Sequence, residues 1–252
     1  MAIYVISDLH GMAPEELQTL LRQADFTEDD WLYILGDAID RRGDGGVAML
    51  RYLLLQPNIQ LILGNHEAML LACRYLFDEV TEDSIANLSI QKMSLLNQYL
   101  QNGGEVTLNA FKQCTAEQQK EILDYLKALP LNEKVSVGSN NYLLVHASPL
   151  ENYNPREYVG KDRTHFAVWE RWYPAHPVPE GYTLVFGHTP TEHFNECKNP
   201  LEIWKGENAV GIDCGCGFFN VENNFYPNGR LACLRLDDMK VFYSEDALCY
   251  GY

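Results

Sequence analysis

Five short apolar runs in the sequence each end in a cluster of polar side chains that could bind cations or carry protons. The clusters are Asp8-Leu9-His10-Gly11, Gly36-Asp37-Ala38-Ile39-Asp40-Arg41, Gly64-Asn65-His66-Glu67, His146-Ala147 and Gly187-His188-Thr189. Four of the seven histidines fall in these clusters, a concentration that unrelated structural histidines would not show. Carboxylate and imidazole side chains in such a mixture are typical ligands of divalent transition metals.

The spacing within and between the clusters indicates a site for two ions. Asp8 and His10 stand two residues apart, so in an extended backbone both side chains leave the same face and can hold one ion. A carboxylate paired with an imidazole suits Mn, Fe or Zn better than Ca or Mg, which prefer more oxygen ligands. Asp37 follows another run and could bridge this ion to a second one. The further candidate ligands of the second ion are Asn65, His146 and His188.

The charge of such a centre would suit an anionic substrate. Two dications together with the carboxylates of Asp8 and Asp37 leave a net double positive charge, which matches a phosphate dianion. Taken singly, the assignments stay open, because Asp8 could cap the following helix, His146 could be a core histidine and Asn65 could hold a turn. Their joint position favours the metal site.

The elements that must position these clusters follow a strand and helix alternation. The apolar runs predict strands over 3–6, 31–35, 59–63, 142–145 and 182–186. Helical spacing over 14–23 and 47–55 separates the first three of them. This is the pattern of a parallel sheet, whose carboxyl strand ends meet along one edge, where open α/β sheets build their sites.

The middle and the end of the chain have different patterns. Long apolar runs over 69–77, 85–100 and 116–129 predict a helical excursion at about 67–130, broken at Asn102-Gly103-Gly104 and closed by Pro130. After residue 203, strands over 210–214, 231–236 and 241–243 suggest an antiparallel sheet that finishes the chain. The parts together predict a mixed α/β sandwich.

Composition places limits on the class of protein. The chain has 252 residues, 46% hydrophobic and 21% charged, which is ordinary for a globular protein, and 1–252 is expected to form a single domain. The formal net charge of −16 argues against long nucleic acids or an anionic membrane as partners. The expected location is cytoplasmic, because no signal peptide or membrane span is recognisable. Cys214 and Cys216, the only close pair among seven cysteines, are interpreted as small packing residues.

The sequence resembles the calcineurin-like metallophosphoesterases, and within them the bacterial and phage type of the serine/threonine phosphoprotein phosphatase branch. The resemblance lies in five blocks between residues 8 and 189, in the family order: DLHG, GDAIDR, GNHE, VHA and GHT. It implies a four-layer αββα sandwich with mixed sheets and a helical insertion. It also implies a dinuclear metal centre in which a metal-bridging hydroxide makes an in-line attack. The residues that would hold the two ions are Asp8, His10, Asp37, Asn65, His146 and His188.

The resemblance further implies roles for residues beside the ligands. His66 would be the general acid that protonates the leaving oxygen, oriented by Asp40. Arg41 would clamp the phosphate oxygens together with Asn65. The second phosphate-binding arginine of the family is matched best by Arg171 in Trp169-Glu170-Arg171, with Arg163 and Arg156 as competitors. A neutral bystander role for His66 and packing of Arg171 beside the tryptophans are the alternatives.

Arg42 departs from the family pattern, in which glycine commonly follows the Asp-Arg pair. The side chain of Arg42 could point to solvent or add a further anion contact that favours a more highly charged substrate. The sequence alone leaves both possibilities open.

We therefore expect a metal-dependent phosphoric ester hydrolase that contains two divalent ions. Mn is the expected metal, with Fe and Zn as alternatives. The leading hypothesis is a serine/threonine protein phosphatase that acts on a phosphorylated protein or a small phosphoester. The alternative is a symmetrical dinucleoside tetraphosphatase or a 5′ nucleotide-cap hydrolase, for which Tyr75, Phe77 or Tyr153 could offer aromatic platforms. A non-catalytic metal-binding module is a minor alternative, and the oligomeric state is open.

Overall fold

The computed structural model describes residues 1–78, 89–194, 200–217 and 229–244. In these ranges the chain forms two mixed five-stranded sheets and seven α-helices. The predicted α/β sandwich is thereby confirmed. No helix within the described ranges is both long enough and apolar enough to span a membrane.

The first sheet carries the beginning of the chain and has the strand order β10-β9-β1-β2-β3. Its parallel part alternates strands with crossover helices: β1 (Ile3–Ile6), α1 (Pro14–Gln23), β2 (Trp31–Ile34), α2 (Val47–Leu53) and β3 (Ile59–Leu61). The hairpin of β9 (Ala232–Arg235) and β10 (Lys240–Tyr243) pairs antiparallel beside β1. The βαβ pattern predicted for the first 60 residues is confirmed.

The second sheet has the order β4-β5-β6-β8-β7. Its strands are β4 (Asn132–Val137), β5 (Asn140–Val145), β6 (Thr183–Phe186), β7 (Trp204–Lys205) and β8 (Ala209–Gly211). Strands β5, β6 and β8 run parallel, and β4 and β7 are antiparallel edges. The expectation of one antiparallel sheet after residue 203 is wrong, because β8 joins β6 in parallel while β9 and β10 join the first sheet.

The helical excursion lies between β3 and β4. It consists of α3 (Asn65–Ala72), a 3-10 turn (Arg74–Phe77), α4 (Ile90–Gln101), α5 (Glu105–Phe111) and α6 (Ala116–Lys127). The beginning of the helix predicted over 85–100 lies outside the described residues, and α4 covers its remainder. Helix α5 was not predicted, since its seven residues are too few to show a clear period.

Alternating strand residues divide the core into layers. In β1, Val5 faces the cluster between the sheets and Ile6 faces the helices. In β5, Leu144 belongs to the cluster between the sheets, whereas Val145 packs on the other side with Trp172. This period of two is what a sheet covered on both faces requires. Cys214 and Cys216 are buried free thiols, in agreement with a packing role.

Candidate active site

The carboxyl ends of five strands deliver the polar clusters to one place. Asp8 and His10 follow β1, Asp37 follows β2, and His146 and His188 follow β5 and β6. Asn65 and His66 open helix α3 directly after β3. Most of these side chains are buried, with His146 fully inaccessible, and the short distances between them show that the two sheets meet here.

The backbone at the site is unusual. Asp8, His10, Asp37 and His188 have φ values of 57°, 44°, 54° and 60°, in the left-handed region that non-glycine residues rarely adopt. Such strain is typical of functional sites, where the surrounding structure compensates its cost. It also corrects one expectation, because Asp8 and His10 converge through a left-handed turn and not through an extended strand.

Among the residues that the structure describes, two groups of side chains have nitrogen or oxygen atoms close enough together to hold an ion. His10, Asp37 and His66 form one group, and Asp37, His146 and His188 form the other, with all donor atoms of a group within 4.8 Å. Asp37 belongs to both. Its Oδ2 lies 3.9 Å from His10 Nε2, and its Oδ1 lies 3.5 Å from His146 Nε2. One oxygen of Asp37 thus faces each group.

The two remaining predicted ligands adjoin these groups. Asp8 Oδ1 lies 3.9 Å from His10 Nε2, while its Oδ2 accepts bonds from the Ser7 hydroxyl and from the His188 backbone N–H at 3.0 Å. Asn65 Oδ1 lies 2.9 Å from His146 Nε2. The structure therefore brings together all six side chains that the sequence singled out as ligands.

These separations fit ions bound by several ligands at once. Two ligand atoms each about 2.1 Å from the same ion lie about 3.0 Å apart at a right angle and at most about 4.2 Å apart when opposite. The distances between 2.9 and 3.9 Å at this site fall in that interval. The residues present thus fit a pair of metal ions that share one carboxylate.

Hydrogen bonds orient the histidine rings for this task. His146 Nδ1 donates to the Leu35 carbonyl at 2.6 Å, so the lone pair of Nε2 faces Asp37 and Asn65. His10 Nδ1 lies 3.4 Å from the Ile39 carbonyl, and its Nε2 faces Asp8 and Asp37 in the same way. A backbone carbonyl behind the ring is the usual support of a metal-binding imidazole.

Electrostatics at the site favour neutral rings for His10 and His188 and an ionised Asp37. Burial lowers the pKa of His10 and of His188 well below the usual value, which favours the neutral imidazole that binds a cation. Burial opposes ionisation of Asp37, but the positive charge that the surrounding histidines, His146 first, carry when protonated outweighs it and holds the pKa of Asp37 well below the usual range. Burial and the charge of Asp37 raise the pKa of Asp8, so bound cations would relieve the repulsion between the two carboxylates.

His66 lies between a carboxylate and a guanidinium. Its Nδ1 is 2.6 Å from Asp40 Oδ2, and its Nε2 is 3.3 Å from Arg41 Nη2 and 3.8 Å from Asp37 Oδ2. Burial alone would lower the pKa of His66, but the charges of Asp37 and Asp40 raise it above the usual value. The predicted neighbours of His66 are in place, although His66 also lies near enough to His10 and Asp37 to belong to the first donor group.

Glu67 is a site residue to which the sequence analysis gave no role. It is fully buried, and its two carboxylate oxygens accept backbone N–H bonds from Asp37, Ala38 and Gly64 at 2.9, 2.8 and 3.1 Å. Glu67 thereby ties the loop that carries Asp37 to the start of helix α3. The sequence signal for a role of Glu67 was its position two residues after the candidate ligand Asn65. Its partners Asp37 and Ala38 are distant in sequence, so these contacts could not be predicted.

The three arginines considered for the second phosphate contact lie in different parts of the structure. Arg171 Nη1 donates to the His188 carbonyl at 2.8 Å, so Arg171 adjoins the site. It follows helix α7 (Arg163–Trp169), whose Trp169 ring lies edge-on to His188 at 6.2 Å. Arg163 lines a separate cavity with residues such as Lys134 and Glu151. The backbone of Arg156 donates to Asn154 on an exposed loop.

Arg42 takes neither of the two positions expected from the sequence. Its guanidinium donates to the backbone carbonyls of His10 at 3.2 Å and Leu9 at 3.3 Å, and contacts Cys216 Sγ at 3.2 Å. Its remaining nitrogen lies 3.8 Å from Glu16 Oε2. Arg42 therefore braces the backbone of the loop that carries Asp8 and His10.

The aromatic residues considered as nucleotide platforms are engaged in internal contacts. The Tyr75 hydroxyl donates to the Lys92 carbonyl at 2.8 Å, and the Phe77 ring packs on Phe111 with centroids 4.6 Å apart. The Tyr153 hydroxyl donates to the Lys161 carbonyl at 2.8 Å. These contacts give the three rings structural roles.

Comparison with known proteins agrees with this geometry. A family model described as Calcineurin-like phosphoesterase matches residues 1–216. The chain belongs to this family. It is therefore a hydrolytic enzyme of a class that depends on a dinuclear metal centre, and its His and Asp clusters are the candidate ligands.

Curated relatives of this phosphoesterase carry a more specific name. A symmetrical bis(5′-nucleosyl)-tetraphosphatase from Acidovorax sp. (strain JS42) is 27% identical over 165 residues, covering 64% of this chain and 50% of the relative. A protein of the same name from Salmonella arizonae is 46% identical over 74 residues, covering 29% of this chain and 26% of that one. The chain thus matches about half the length of the first relative and about a quarter of the second.

A solved structure supports the fold. The crystal structure of a protein provisionally named diadenosine tetraphosphatase superposes with a TM-score of 0.54 at 20% identity, covering 96% of this chain and 91% of that one. At this level of identity the likeness shows the fold alone.

Proposed function

We propose that this phosphoesterase hydrolyses the phosphoric anhydride chain of dinucleoside tetraphosphates, cleaving it symmetrically. The observation that carries the reaction class is the pair of donor groups that share Asp37, with Arg41 beside His66 of the first group. The substrate is supported by the names of the curated relatives. We therefore prefer the dinucleotide, the alternative in the sequence analysis, to the phosphoprotein.

The ligand assignment follows the two donor groups except at one position, where Asp8, whose Oδ1 lies 3.9 Å from His10 Nε2, replaces His66. We assign Asp8, His10 and Asp37 to one cation, and Asp37, Asn65, His146 and His188 to the other. The chemistry supplied by two bound dications is activation of a water molecule for in-line attack and polarisation of the phosphoryl oxygens. The mixture of nitrogen and oxygen donors favours Mn, with Fe and Zn as alternatives.

His66 is assigned the transfer of a proton to the leaving oxygen. Its Nδ1 is held by Asp40 at 2.6 Å, so its Nε2 faces the centre. The Arg41 guanidinium, 3.3 Å from this Nε2, disfavours a further cation at the same nitrogen because like charges repel. The same repulsion acts on a protonated His66, but the carboxylates of Asp37 and Asp40 raise the pKa of His66. His66 is therefore better suited to carry a proton, as a general acid does, than to bind a metal ion.

Three side chains are assigned to the phosphate. Arg41 offers a guanidinium fork beside the centre, which suits bidentate binding of non-bridging oxygens. Arg171 donates one hydrogen bond to the His188 carbonyl through Nη1, and its other N–H groups can donate to an anion. Asn65 turns its amide oxygen to His146, so its amide nitrogen is a further donor. These groups provide the local positive site that an acidic protein needs for an anionic substrate.

Phosphoserine or phosphothreonine in a protein is the second candidate substrate, because the five sequence blocks resemble that branch of the family. Both substrates present a phosphoryl group to the same centre, so the residues assigned above serve either reaction.

Turnover of the two substrates side by side tests the proposal. The Mn-loaded chain is given diadenosine tetraphosphate or a phosphothreonine peptide, and kcat/KM is measured for each, with His66→Asn as the matched control. Faster cleavage of the dinucleotide to ADP as the sole nucleotide product is the expected result. AMP and ATP among the products would contradict symmetrical cleavage, and faster release of phosphate from the peptide would favour the second candidate. Failure to hydrolyse either substrate would overturn the proposed function.

A further inference from the structure

The helical excursion reaches into the active site through one buried tyrosine. Tyr99, in the last turns of helix α4, is fully buried, and its hydroxyl donates to Asp40 Oδ1 at 2.8 Å. Asp40 Oδ2, the other oxygen of the same carboxylate, faces His66 Nδ1 at 2.6 Å. The sequence analysis assigned Asp40 to orient His66, and the structure adds what orients Asp40.

Asp40 needs such support because its environment is costly for a carboxylate. The residue is fully inaccessible, and its backbone has a left-handed φ of 77°. A buried carboxylate is stable only when hydrogen bonds or charges compensate the loss of water. The described donors to its side chain are the hydroxyls of Tyr99 and Thr107 and the ring of His66.

The two hydroxyl donors are not equivalent. The Thr107 hydroxyl lies within hydrogen-bond distance of both Asp40 Oδ1 and the Gly45 carbonyl, which is 3.0 Å away. A hydroxyl has one proton and can donate to only one of these acceptors at a time. The Tyr99 hydroxyl therefore provides the more constant bond, and loss of that bond would leave Oδ1 dependent on a shared proton.

The corner between α4 and α5 is built to hold this arrangement. Gly104 lies directly against the Tyr99 ring, where a Cβ atom would overlap the ring carbons. The neighbouring Gly103 has a φ of +88°, and its carbonyl accepts the Arg41 backbone N–H at 3.0 Å. This part of the excursion thus contacts both Asp40 and Arg41. The Tyr99 hydroxyl bonds to the Asp40 side chain, and the Gly103 carbonyl bonds to the Arg41 backbone.

We propose that Tyr99 is a positioning residue for proton transfer, acting through Asp40 on His66. This inference rests on the proposed function, in which His66 protonates the leaving oxygen. Tyr99 fixes the plane of the Asp40 carboxylate, and the carboxylate fixes the ring of His66. The excursion is then part of the catalytic apparatus and not only a cover for the first sheet.

Dependence of the rate on the leaving group separates this role from a purely structural one. A nitrophenolate leaves readily without a proton, whereas a phenolate needs one, so general-acid catalysis matters more for phenyl phosphate than for 4-nitrophenyl phosphate. For Tyr99→Phe we expect the ratio of kcat/KM values, phenyl over nitrophenyl, to fall about tenfold to a hundredfold, the effect of one hydrogen bond to a charged group. His66→Asn should lower the same ratio at least as far.

Tyr125→Phe is the matched control. Tyr125 lies on α6 of the same excursion and packs, half-buried, against the same core cluster as Tyr99, and its hydroxyl is not among the described donors to Asp40. Removal of this hydroxyl should leave the ratio unchanged. If Tyr99→Phe does not fold, Gly104→Ala places a Cβ atom against the Tyr99 ring, displaces the ring and should lower the ratio.

The outcomes distinguish the inference from the function on which it rests. An unchanged ratio in Tyr99→Phe, or in Gly104→Ala if that variant replaces it, overturns the inference when His66→Asn still lowers the ratio. An unchanged ratio in His66→Asn as well overturns the acid role of His66 and the inference together. If the wild-type chain hydrolyses neither ester, Tyr99→Phe is compared with wild type on diadenosine tetraphosphate, where an unchanged kcat overturns the inference. A wild-type chain that is inactive on the dinucleotide as well overturns the proposed function.

Discussion

Replacement of Arg42 by methionine tests whether this side chain braces the metal-ligand loop. Arg42→Met keeps most of the aliphatic stem but removes the bonds to the Leu9 and His10 carbonyls, which measure 3.3 and 3.2 Å. A hydrogen bond from a charged group contributes about 1.5–3 kcal/mol. Since both bonds are long and the side chain is 30% exposed, each should contribute about 1–1.5 kcal/mol, at or below the lower end of that range, and the free energy of unfolding should fall by about 2–3 kcal/mol.

The assay is urea unfolding of the metal-free chain, followed by circular dichroism, which separates the hydrogen bonds from any effect of bound ions. For a chain of this length the expected loss corresponds to a fall in Tm of about 4–12 °C. Binding of Mn, measured by calorimetry, should weaken about tenfold or more, because the bonds support the backbone of His10.

Two further variants make the prediction refutable. Glu16→Gln removes only the ion pair at 3.8 Å with a half-exposed partner, and such surface pairs contribute about 0–1 kcal/mol. Arg42→Lys offers one nitrogen in place of a fork and should fall between wild type and methionine. If Arg42→Met unfolds within about 0.5 kcal/mol of wild type, or if Glu16→Gln matches its loss, the bracing role of Arg42 is refuted.

Other predictions concern separate parts of the molecule. His66→Asn should lower the rate on phenyl phosphate about 10²- to 10⁴-fold while Mn binding stays near the wild-type value; a loss of one bound ion would instead identify His66 as a ligand. Thr115→Ala removes the N-cap side chain of α6. The Thr115 hydroxyl accepts a hydrogen bond from the Gln118 backbone N–H at 3.3 Å, so its loss should cost about 1 kcal/mol of stability without changing kcat. Treatment with a chelator should abolish activity and lower Tm, and Mn should restore both, because an ion that binds only the folded state stabilises it; a Tm unaffected by chelation would speak against bound ions.

The candidate ligands could be found from the sequence because each lies directly after a local signal. Asp37 follows a run of apolar strand residues, and parallel strands bring such positions to one edge of the sheet. Asp8 and His10 were found in the same way, although the reason given for their convergence, an extended backbone, was wrong. Left-handed φ values at these residues depend on the surrounding structure and leave no trace in a hydrophobic pattern.

Supporting contacts could not be found, because their partners are far apart in sequence. Glu67 accepts from Asp37 across 30 residues, Tyr99 donates to Asp40 across 59, and Arg42 contacts Cys216 across 174. Nothing in the spacing of these residues predicts which loop each would meet. The same limit explains β8, β9 and β10, whose existence was predicted but whose division between two sheets was not.

The most direct test of the central claim is the number of Mn ions bound per chain by wild type and by Asp37→Asn, measured by elemental analysis after dialysis. The side chain of Asp37 turns one oxygen toward His10 and the other toward His146, so its charge should be needed for both ions. We expect two ions in wild type and one or none in the variant. Two fully occupied sites in Asp37→Asn, or a wild-type chain that binds no more than one ion, would contradict a centre built around a shared carboxylate.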